Sequence, residues 1–179
     1  MGMATGPLRQ RSRIPVPPSD VVIHRLGAAA GDIVRWALYS AISWNDDPNI
    51  PPLEVAVQHP EVARYHEGWG RAGDMGVKAV MADELVGAAF ARLFTDDDHG
   101  HGYVDSETPE LGIGVVRGQR RKGIGRELMF GLADVARAEG IHRLSLSVNN
   151  PNPAKRLYES LGYATVQDDG NSSVMVLDL

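Results

Sequence analysis

Hydrophobic and polar positions in the first half of the chain follow both helical and strand-like periodicities. From Asp32 to Ser43 the apolar residues recur on one broad face of a helix, which Asp32 is expected to cap. Two apolar, partly β-branched runs separated by Asp83 and Glu84 are typical of an antiparallel hairpin. The pattern predicts, in order, a strand at 21–26, helices at 32–43 and 61–68, and strands at 75–82 and 85–94.

The second half of the chain returns to strands and helices after a polar loop at residues 95–109. One helix is ended by Gly140 and a shorter one by Gly162. The predicted elements are a strand at 111–116, a helix at 126–139, a strand at 144–148, a helix at 153–161, and strands at 163–166 and 174–179. This order predicts an α/β (α+β) domain around one sheet.

Length and composition restrict the class of protein. The 179 residues suffice for one core, so we predict a single domain at 20–179 after a disordered tail at 1–19, which is rich in Pro, Arg and Ser. No apolar run approaches the roughly 20 residues that cross a bilayer, and the tail lacks the apolar region of a secretory signal. The absence of cysteine removes disulfides, thiolate metal sites and cysteine nucleophiles, and it favours a cytoplasmic location.

Charge narrows the expected partners. The formal net charge of -5 at pH 7 argues against nucleic-acid binding, because contacts to phosphates require a basic face. We expect a cationic or small neutral partner, with no nucleic acid and no membrane. Homodimers are common among soluble proteins and are a further expectation.

One segment combines glycine with positive charge where a strand meets a helix. The strand at 111–116 leads into a turn that contains Gly123 and Gly125 and opens the helix at 126–139. Amide groups at a helix N-terminus lack intrahelical acceptors and bind anions, and glycine lets a diphosphate approach the backbone. Cationic side chains surround the turn at Arg120, Arg121, Lys122 and Arg126. On its own, the pattern also fits an ordinary turn with solvated arginines.

Two common nucleotide-binding patterns do not fit this turn. No Lys-Ser or Lys-Thr pair follows the glycines, and Leu128 stands at the third glycine position of a dinucleotide fingerprint. The run from Arg120 to Gly125 instead resembles the acyl-CoA motif of the GNAT superfamily: Gln or Arg, two residues, Gly, one residue, then Gly or Ala. Residues 152–163 are similar to the superfamily's late Asn, Ala, Leu-Tyr and Gly-aromatic element.

The resemblance implies a fold, a co-substrate and a binding surface. The fold is a single-domain GNAT-like fold whose mixed, mostly antiparallel sheet splays between two parallel strands and is flanked by helices. The pantetheine arm of acetyl-CoA would lie along the exposed strand edge and its diphosphate on the turn. Asn152 would contact the pantetheine or the phosphate region, and Asn150 is the alternative for this contact. The residues implied for binding it are Gly114, Val115, Val116, Arg120, Arg121, Lys122, Gly123, Ile124, Gly125, Arg126, Asn152 and Tyr158.

Gly112 and Gly114 interrupt an apolar strand, where glycine often marks a bulge or the close approach of other atoms. A ligand lying on the strand and tight packing against a helix both explain the pattern. The amide of Val116 is expected to face the thioester oxygen and to stabilise its charge in the tetrahedral state.

Amine acetylation needs a proton acceptor for the alkylammonium and a proton donor for the departing thiolate. Tyr158 matches the family position beside the CoA sulfur and, with an ordinary pKa of about 10, is protonated at neutral pH. Taken alone, it would equally suit a hydrophobic core. Glu110 precedes the glycine-bearing strand, at a position where some superfamily members carry the base. The alternatives are a solvated strand-end carboxylate, or a base at Asp105 or Glu107.

Acidic loops give the remaining clues. Asp46 and Asp47, together with the run 96–98, are expected to surround the acceptor site and attract a cationic amine. The neighbouring histidines lack the helix placement that binds zinc, and the acidic run lacks the calcium-loop spacing with its distal glutamate, so no metal is expected. The strand at 144–148 carries no carboxylate or histidine, which argues against acetylation of ribosomal-protein N-termini.

The sequence therefore predicts an N-acetyltransferase that passes an acetyl group from acetyl-CoA directly to a primary amine on a small molecule or a protein. No cysteine is present to form a covalent enzyme intermediate. A non-catalytic acyl-CoA-binding regulatory module and an acyltransferase that uses a longer acyl-CoA are the alternatives.

Overall fold

The computed structural model describes Pro18 and residues 20–179, so almost all of the tail predicted at 1–19 lies outside the described residues. The helices are α1 (Gly31–Ile42), α2 (Leu53–Ala56), α3 (Pro60–Ala63), α4 (Ile124–Ala138) and α5 (Ala154–Ser160). The strands are β1 (Val22–Arg25), β2 (Met75–Met81), β3 (Glu84–Arg92), β4 (Glu110–Val115), β5 (Arg143–Asn149), β6 (Ala164–Asp168) and β7 (Ser172–Asp178). Within this part of the chain, no helix has the length and apolar character needed to span a membrane.

Most elements begin and end within two residues of the predicted bounds, and the differences lie in the first half. The helix expected at 61–68 is only the single turn α3, and α2 was not predicted. Pro51 and Pro52 precede α2 and Pro60 begins α3, so the prolines mark the starts of two separate short helices. Asp32 lies in the first turn of α1 rather than at its cap, which is Ala30 without a side-chain hydrogen bond.

All seven strands form one sheet in the order β1-β2-β3-β4-β5-β7-β6. Every neighbouring pair is antiparallel except β4 and β5, which are parallel. The predicted α/β fold with a mixed, mostly antiparallel sheet is therefore confirmed.

Helices cover both faces of the sheet and bury a separate apolar cluster on each. On one face α4 packs Leu128, Leu132 and Ala136 against the strands. On the other face α1 packs Val34, Ala37 and Leu38 beside an aromatic group. The fold is thus three layers, with the central sheet carrying the strand ends where functional groups collect.

A buried ion pair fixes the irregular segment that follows α3. The Arg92 side chain is fully buried and donates to both carboxylate oxygens of Asp74, at 2.8 Å and 2.7 Å. One of its terminal nitrogens also donates to the carbonyl oxygens of Arg64 and Glu67, each at 2.8 Å. Because a buried guanidinium needs all of these acceptors, the segment 64–74 is held against the end of β3.

Candidate active site

The parallel strands β4 and β5 meet at only one register position, Glu110 with Ser145. There the Ser145 N–H donates to the Pro109 carbonyl at 3.0 Å. Toward their carboxyl ends the two strands separate, so the side of β4 that faces β5 is left without a strand partner. This is the predicted splay, and it creates an edge to which an extended ligand can hydrogen-bond.

The edge amides are not all those expected. The Val116 N–H donates to the Val86 carbonyl of β3 at 3.0 Å, so the prediction that it faces the thioester oxygen is wrong. Hydrogen bonding alternates along an antiparallel pair, so Gly114, opposite Ala88, also turns its amide toward β3. By the same alternation the amides of Ile113 and Val115 face the separated side. Of the predicted edge set, Val115 is thus the residue whose N–H meets the gap.

Packing against α1 accounts for Gly114. A Cβ added there would lie 2.8 Å from the Ala37 carbonyl oxygen and 2.8 Å from the Ser40 Cβ, closer than side chains tolerate. At Gly112 an added Cβ would meet the Phe90 ring at 2.6 Å. Of the two explanations left open by the sequence, tight packing is the one the contacts support.

The turn between β4 and α4 has the backbone of an anion site. A 3-10 turn at Arg117–Gln119 is followed by two left-handed residues, Arg121 at φ 61° and Gly123 at φ 88°. Gly123 is the N-cap of α4 and no side chain caps the helix. The first amides of α4, at Ile124 and Gly125, therefore point outward without an intrahelical acceptor.

The cationic side chains of the turn divide into two kinds. Arg120 is tied back to the protein, donating to the Val115 carbonyl at 3.1 Å and the Trp44 carbonyl at 3.2 Å. Arg121 and Lys122 are exposed, and Arg126 donates to the Ser160 hydroxyl at 2.9 Å. Arg120 thus braces the turn, while the other three cations surround the free amides and are compatible with a diphosphate.

Helix α5 carries the predicted proton donor. Tyr158 is buried, and burial raises the pKa of its phenol well above the ordinary value, so it is protonated at neutral pH. Its ring lies 5.9 Å from that of Tyr163, centroid to centroid. Asn152 starts the helix by accepting from the Ala154 N–H at 2.9 Å. Asn150, the alternative, accepts instead from Lys155 at 2.7 Å.

Glu110 is not the solvated carboxylate that the sequence left as an alternative. Its exposure is 3%, and its Oε1 accepts from the Tyr65 hydroxyl at 2.7 Å and from the Gly102 N–H at 2.8 Å. Oε2 is buried without a hydrogen-bond partner among the described residues. Burial raises the pKa of this carboxyl, an effect partly offset by the two hydrogen bonds and by nearby His101 and His99.

Sequence reasoning missed the residues around Glu110. Tyr65 gave no signal, because an aromatic residue in a predicted helix suits a core equally well. The signal that did exist was Gly100 and Gly102, on either side of one histidine in a polar loop. A Cβ added to Gly100 would lie 1.9 Å from the Tyr65 hydroxyl oxygen. A Cβ added to Gly102 would lie 2.6 Å from the Leu146 carbonyl carbon. Both glycines are required by close approach.

The alternative bases are less suited to proton transfer. Asp105 pairs with Arg143 at 2.6 Å. Partial burial raises the pKa of Asp105, but the Glu107 N–H, which donates to its carboxylate at 3.0 Å, and the charge of Arg143 help to bring it below the ordinary value. Glu107 is exposed.

A cleft of about 500 Å³ lies beside the carboxyl end of β4. Its walls come from α1, the loop after α1, and the turn at residues 117–126, which we call the phosphate turn. Asp46 and Asp47 line it together with Trp36 and Tyr39, and Asp46 forms an ion pair with Arg117. The other acidic run does not line this cleft; its Asp98 pairs with Arg64 at 3.2 Å. The two acidic segments that we expected around one acceptor site are therefore separate. The cleft is lined by Trp36, Tyr39, Ser40, Ser43, Asp46, Asp47, Ile50, Val115, Val116, Arg117 and Arg120.

Comparison with known proteins agrees with this geometry. A model of the acetyltransferase (GNAT) family matches residues 38–163, which include the last turn of α1, the separated strands, the turn and Tyr158. No curated protein is significantly similar to the chain in sequence.

Several solved structures share the fold. The PaiA N-acetyltransferase from Thermoplasma acidophilum, in complex with coenzyme A, is 15% identical with a TM-score of 0.63, over 89% of this chain and 99% of that one. A ribosomal-protein-alanine N-acetyltransferase from Brucella melitensis is 23% identical with a TM-score of 0.59, over 88% and 99%. An acetyltransferase from Thermus thermophilus is 19% identical with a TM-score of 0.59, over 89% and 97%.

Proposed function

This chain belongs to the acetyltransferase (GNAT) family, and from that premise we propose that it transfers an acetyl group from acetyl-CoA to a primary amine. The observation that carries the proposal is the separation of β4 from β5, which leads directly into the uncapped, cation-rich start of α4. Acetyl-CoA fits such a surface, because a pantetheine arm can bond to the open strand edge while its diphosphate meets the amides of the turn.

The chemistry proposed is direct transfer. Glu110 accepts a proton from the alkylammonium, the neutral amine attacks the thioester carbonyl, and a tetrahedral intermediate forms. Collapse of the intermediate breaks the C–S bond, and the departing thiolate takes the proton of the Tyr158 hydroxyl. The attacking nitrogen passes its second proton to the Tyr158 phenolate, and Glu110 releases the first proton to solvent. The products are the acetylated amine and CoA. Because Glu110 lies beneath the backbone of Gly100 and Gly102, we propose that its proton arrives through water rather than directly from the amine.

The acceptor is proposed to enter the cleft beside α1 and to extend its amine along the open edge of β4 toward Glu110, which lies at the other end of that strand. This cleft borders Val115 and Arg120, so it adjoins the proposed CoA surface. Asp46 is paired with Arg117, so Asp47 is the carboxylate that favours a cationic amine there, and Trp36 and Tyr39 offer aromatic faces to it. The lack of cysteine is compatible with a reducing compartment, and we propose the cytoplasm.

One observation favours a second candidate, a regulatory module that binds acyl-CoA without turnover. Glu110 is 3% exposed, and its free oxygen lies against the position of Gly100. A carboxylate this enclosed is less accessible to an amine than an open one.

The two candidates differ in whether CoA is released. We expect the protein to bind CoA by calorimetry and to release free thiol from acetyl-CoA when a panel of amines is supplied. Tyr158→Phe should lower kcat about a hundredfold and leave the Kd of CoA unchanged, because it removes only the proton donor.

Tyr163→Phe is the matched control, since that hydroxyl is also buried, has no hydrogen-bond partner among the described residues and lies on the neighbouring ring. CoA binding without amine-stimulated release would favour the module. Faster release of free thiol from a longer acyl-CoA than from acetyl-CoA would mean that the transferred group is a longer acyl chain. Failure to bind any acyl-CoA would overturn the proposal.

A further inference from the structure

The buried Glu110 carboxylate has no direct ionic partner among the described residues. Arg92 is its cross-strand neighbour in β3, but the Arg92 guanidinium is committed to Asp74. His99 and His101 lie in the loop that covers the carboxylate and act on it only by their nearby charge. The charged form of Glu110 therefore depends on hydrogen bonds, and only one of them comes from a side chain.

That side-chain hydrogen bond comes from Tyr65, which is 45 residues away in sequence. The phenol donates to Glu110 Oε1 at 2.7 Å and accepts from the His101 N–H at 3.0 Å. The Gly102 N–H donates to the same carboxylate oxygen at 2.8 Å. Two donors thus converge on Oε1, and Oε2 is left without one.

We infer that Tyr65 is a positioning residue for the proposed reaction: with the Gly102 amide it holds Glu110 by Oε1, so that Oε2 is the oxygen that accepts the proton. This inference rests on the proposed function, because it concerns the base of that same site. Tyr65 does not itself touch the acceptor or the thioester; it acts through the carboxylate.

Packing alone does not explain a tyrosine at this position. The Tyr65 ring makes an edge-to-face contact with Phe94 at 5.2 Å between centroids, which phenylalanine would make equally well. The hydroxyl is what the loop is built around, since a Cβ on Gly100 would lie 1.9 Å from it. A buried hydroxyl with both a donor and an acceptor role satisfied is stabilising only because those partners are in place.

The sign of the expected change follows from the hydrogen bond. The Tyr65 hydroxyl donates to the charged carboxylate and so lowers the pKa of Glu110, against the raising effect of burial. Its removal should raise that pKa further. A larger fraction of Glu110 is then protonated and unable to act as base at neutral pH, and the activity recovers as the pH rises.

The test compares Tyr65→Phe with Tyr103→Phe. The Tyr103 hydroxyl also bonds a carboxylate, Asp96 at 2.5 Å, but on the surface. We expect Tyr65→Phe to lower kcat at neutral pH about tenfold, to move the acidic limb of the kcat/KM profile to higher pH, and to leave the Kd of CoA unchanged. Tyr103→Phe should keep the wild-type profile. A Tyr65→Phe profile that overlays the wild type would overturn the inference.

A second readout does not depend on turnover. The NMR shift of the Gly102 amide should report the titration of Glu110, because this N–H bonds the carboxylate directly. Its midpoint should rise in Tyr65→Phe, and the response should vanish in Glu110→Gln. An unchanged midpoint in Tyr65→Phe would again overturn the inference.

The wild-type protein decides the matter even if Tyr65→Phe does not fold. The ring Cζ of Tyr65 should then titrate with the same midpoint as the Gly102 amide, and both responses should be lost in Glu110→Gln. Independent behaviour of the two signals would overturn the inference. If instead the wild type binds no acyl-CoA and releases none, the proposed function fails, while these NMR results still report on the Tyr65 hydrogen bond.

Discussion

The two ends of strand β4 differ in how their polar groups are assembled and in how far those groups are exposed to solvent. At its carboxyl end the phosphate turn, residues 117–126, is one continuous segment that carries exposed cations and outward-facing amides. At its amino end the carboxylate cluster, made of Tyr65, Gly100, Gly102 and Glu110, comes from three separate segments and is buried. About 17 Å of extended strand separates the two regions.

The difference shows what each kind of site needs from the fold. Solvated cations beside a helix end cost little to place, so a short local motif is sufficient. A carboxylate taken out of water needs donors that reach it in fixed geometry, and neighbouring residues of one strand cannot supply them because they point away. We therefore expect CoA binding to depend on one local segment, whereas the proposed proton acceptor depends on donors from distant segments.

The largest expected effect separates the two regions by function. Glu110→Gln should lower kcat about a hundredfold, since it removes the proton acceptor, and leave the Kd of CoA within about twofold of wild type. Steady-state kinetics and calorimetry test this. The control is Glu107→Gln, the same change on an exposed side chain three residues away. Equal activity of the two variants would remove Glu110 from the mechanism.

Charge reversal should produce the opposite division. The double variant Arg121→Glu with Lys122→Glu should weaken CoA binding about thirtyfold at low salt, and less at high salt, because it places negative charge beside the diphosphate. At saturating acetyl-CoA its kcat should stay near the wild-type value. Arg137→Glu, at the other end of α4, is the control. If the double variant binds CoA normally, the turn does not hold the diphosphate.

The difference in pH-dependent stability between the wild type and Glu110→Gln should report on the buried Glu110 carboxylate. Since the pKa of Glu110 is raised in the folded state, its contribution is fully present below the unfolded pKa and is lost as the pH rises through the folded pKa. Glu110→Gln should remove that loss, changing the slope by at most about 1.4 kcal/mol per pH unit. Urea unfolding at a series of pH values measures it. Parallel curves for wild type and variant would mean that Glu110 ionises as if exposed.

The smallest effect distinguishes backbone from side chain in the turn. Arg121→Gly should raise the free energy of unfolding by about 0.5–1 kcal/mol, because glycine adopts the left-handed φ of 61° without strain. It should weaken CoA binding only about threefold if the backbone amides of the turn provide most of the binding energy for the diphosphate. Asp83→Gly, at φ 63° in the β2–β3 turn, is the control and should stabilise without any change in binding. A loss of affinity as large as that caused by charge reversal would mean that the Arg121 side chain provides most of that binding energy.

Much of the fold could be predicted from the sequence because its signals are local. Two apolar, partly β-branched runs separated by Asp83 and Glu84 predicted the β2–β3 hairpin, whose turn lies at Ala82 and Asp83. Gly140 ended α4 close to where it was expected. Proline-interrupted residues 44–74 were predicted least well. Residues 64–74 are held by the Arg92 and Asp74 pair, which joins residues 18 apart in sequence and has no local signature.

The candidate site divides along the same line. The sequence by itself determined the basic glycine turn, the tyrosine on α5 and the glutamate at the start of β4, since each is a feature of a short segment. Only the tertiary structure decided that Val116 gives its amide to β3, that Gly114 is small because α1 lies against it, and that Tyr65 bonds Glu110. The physical reason is that burial and hydrogen-bond partners are set by what other segments bring to the same place, and residue order alone does not specify that.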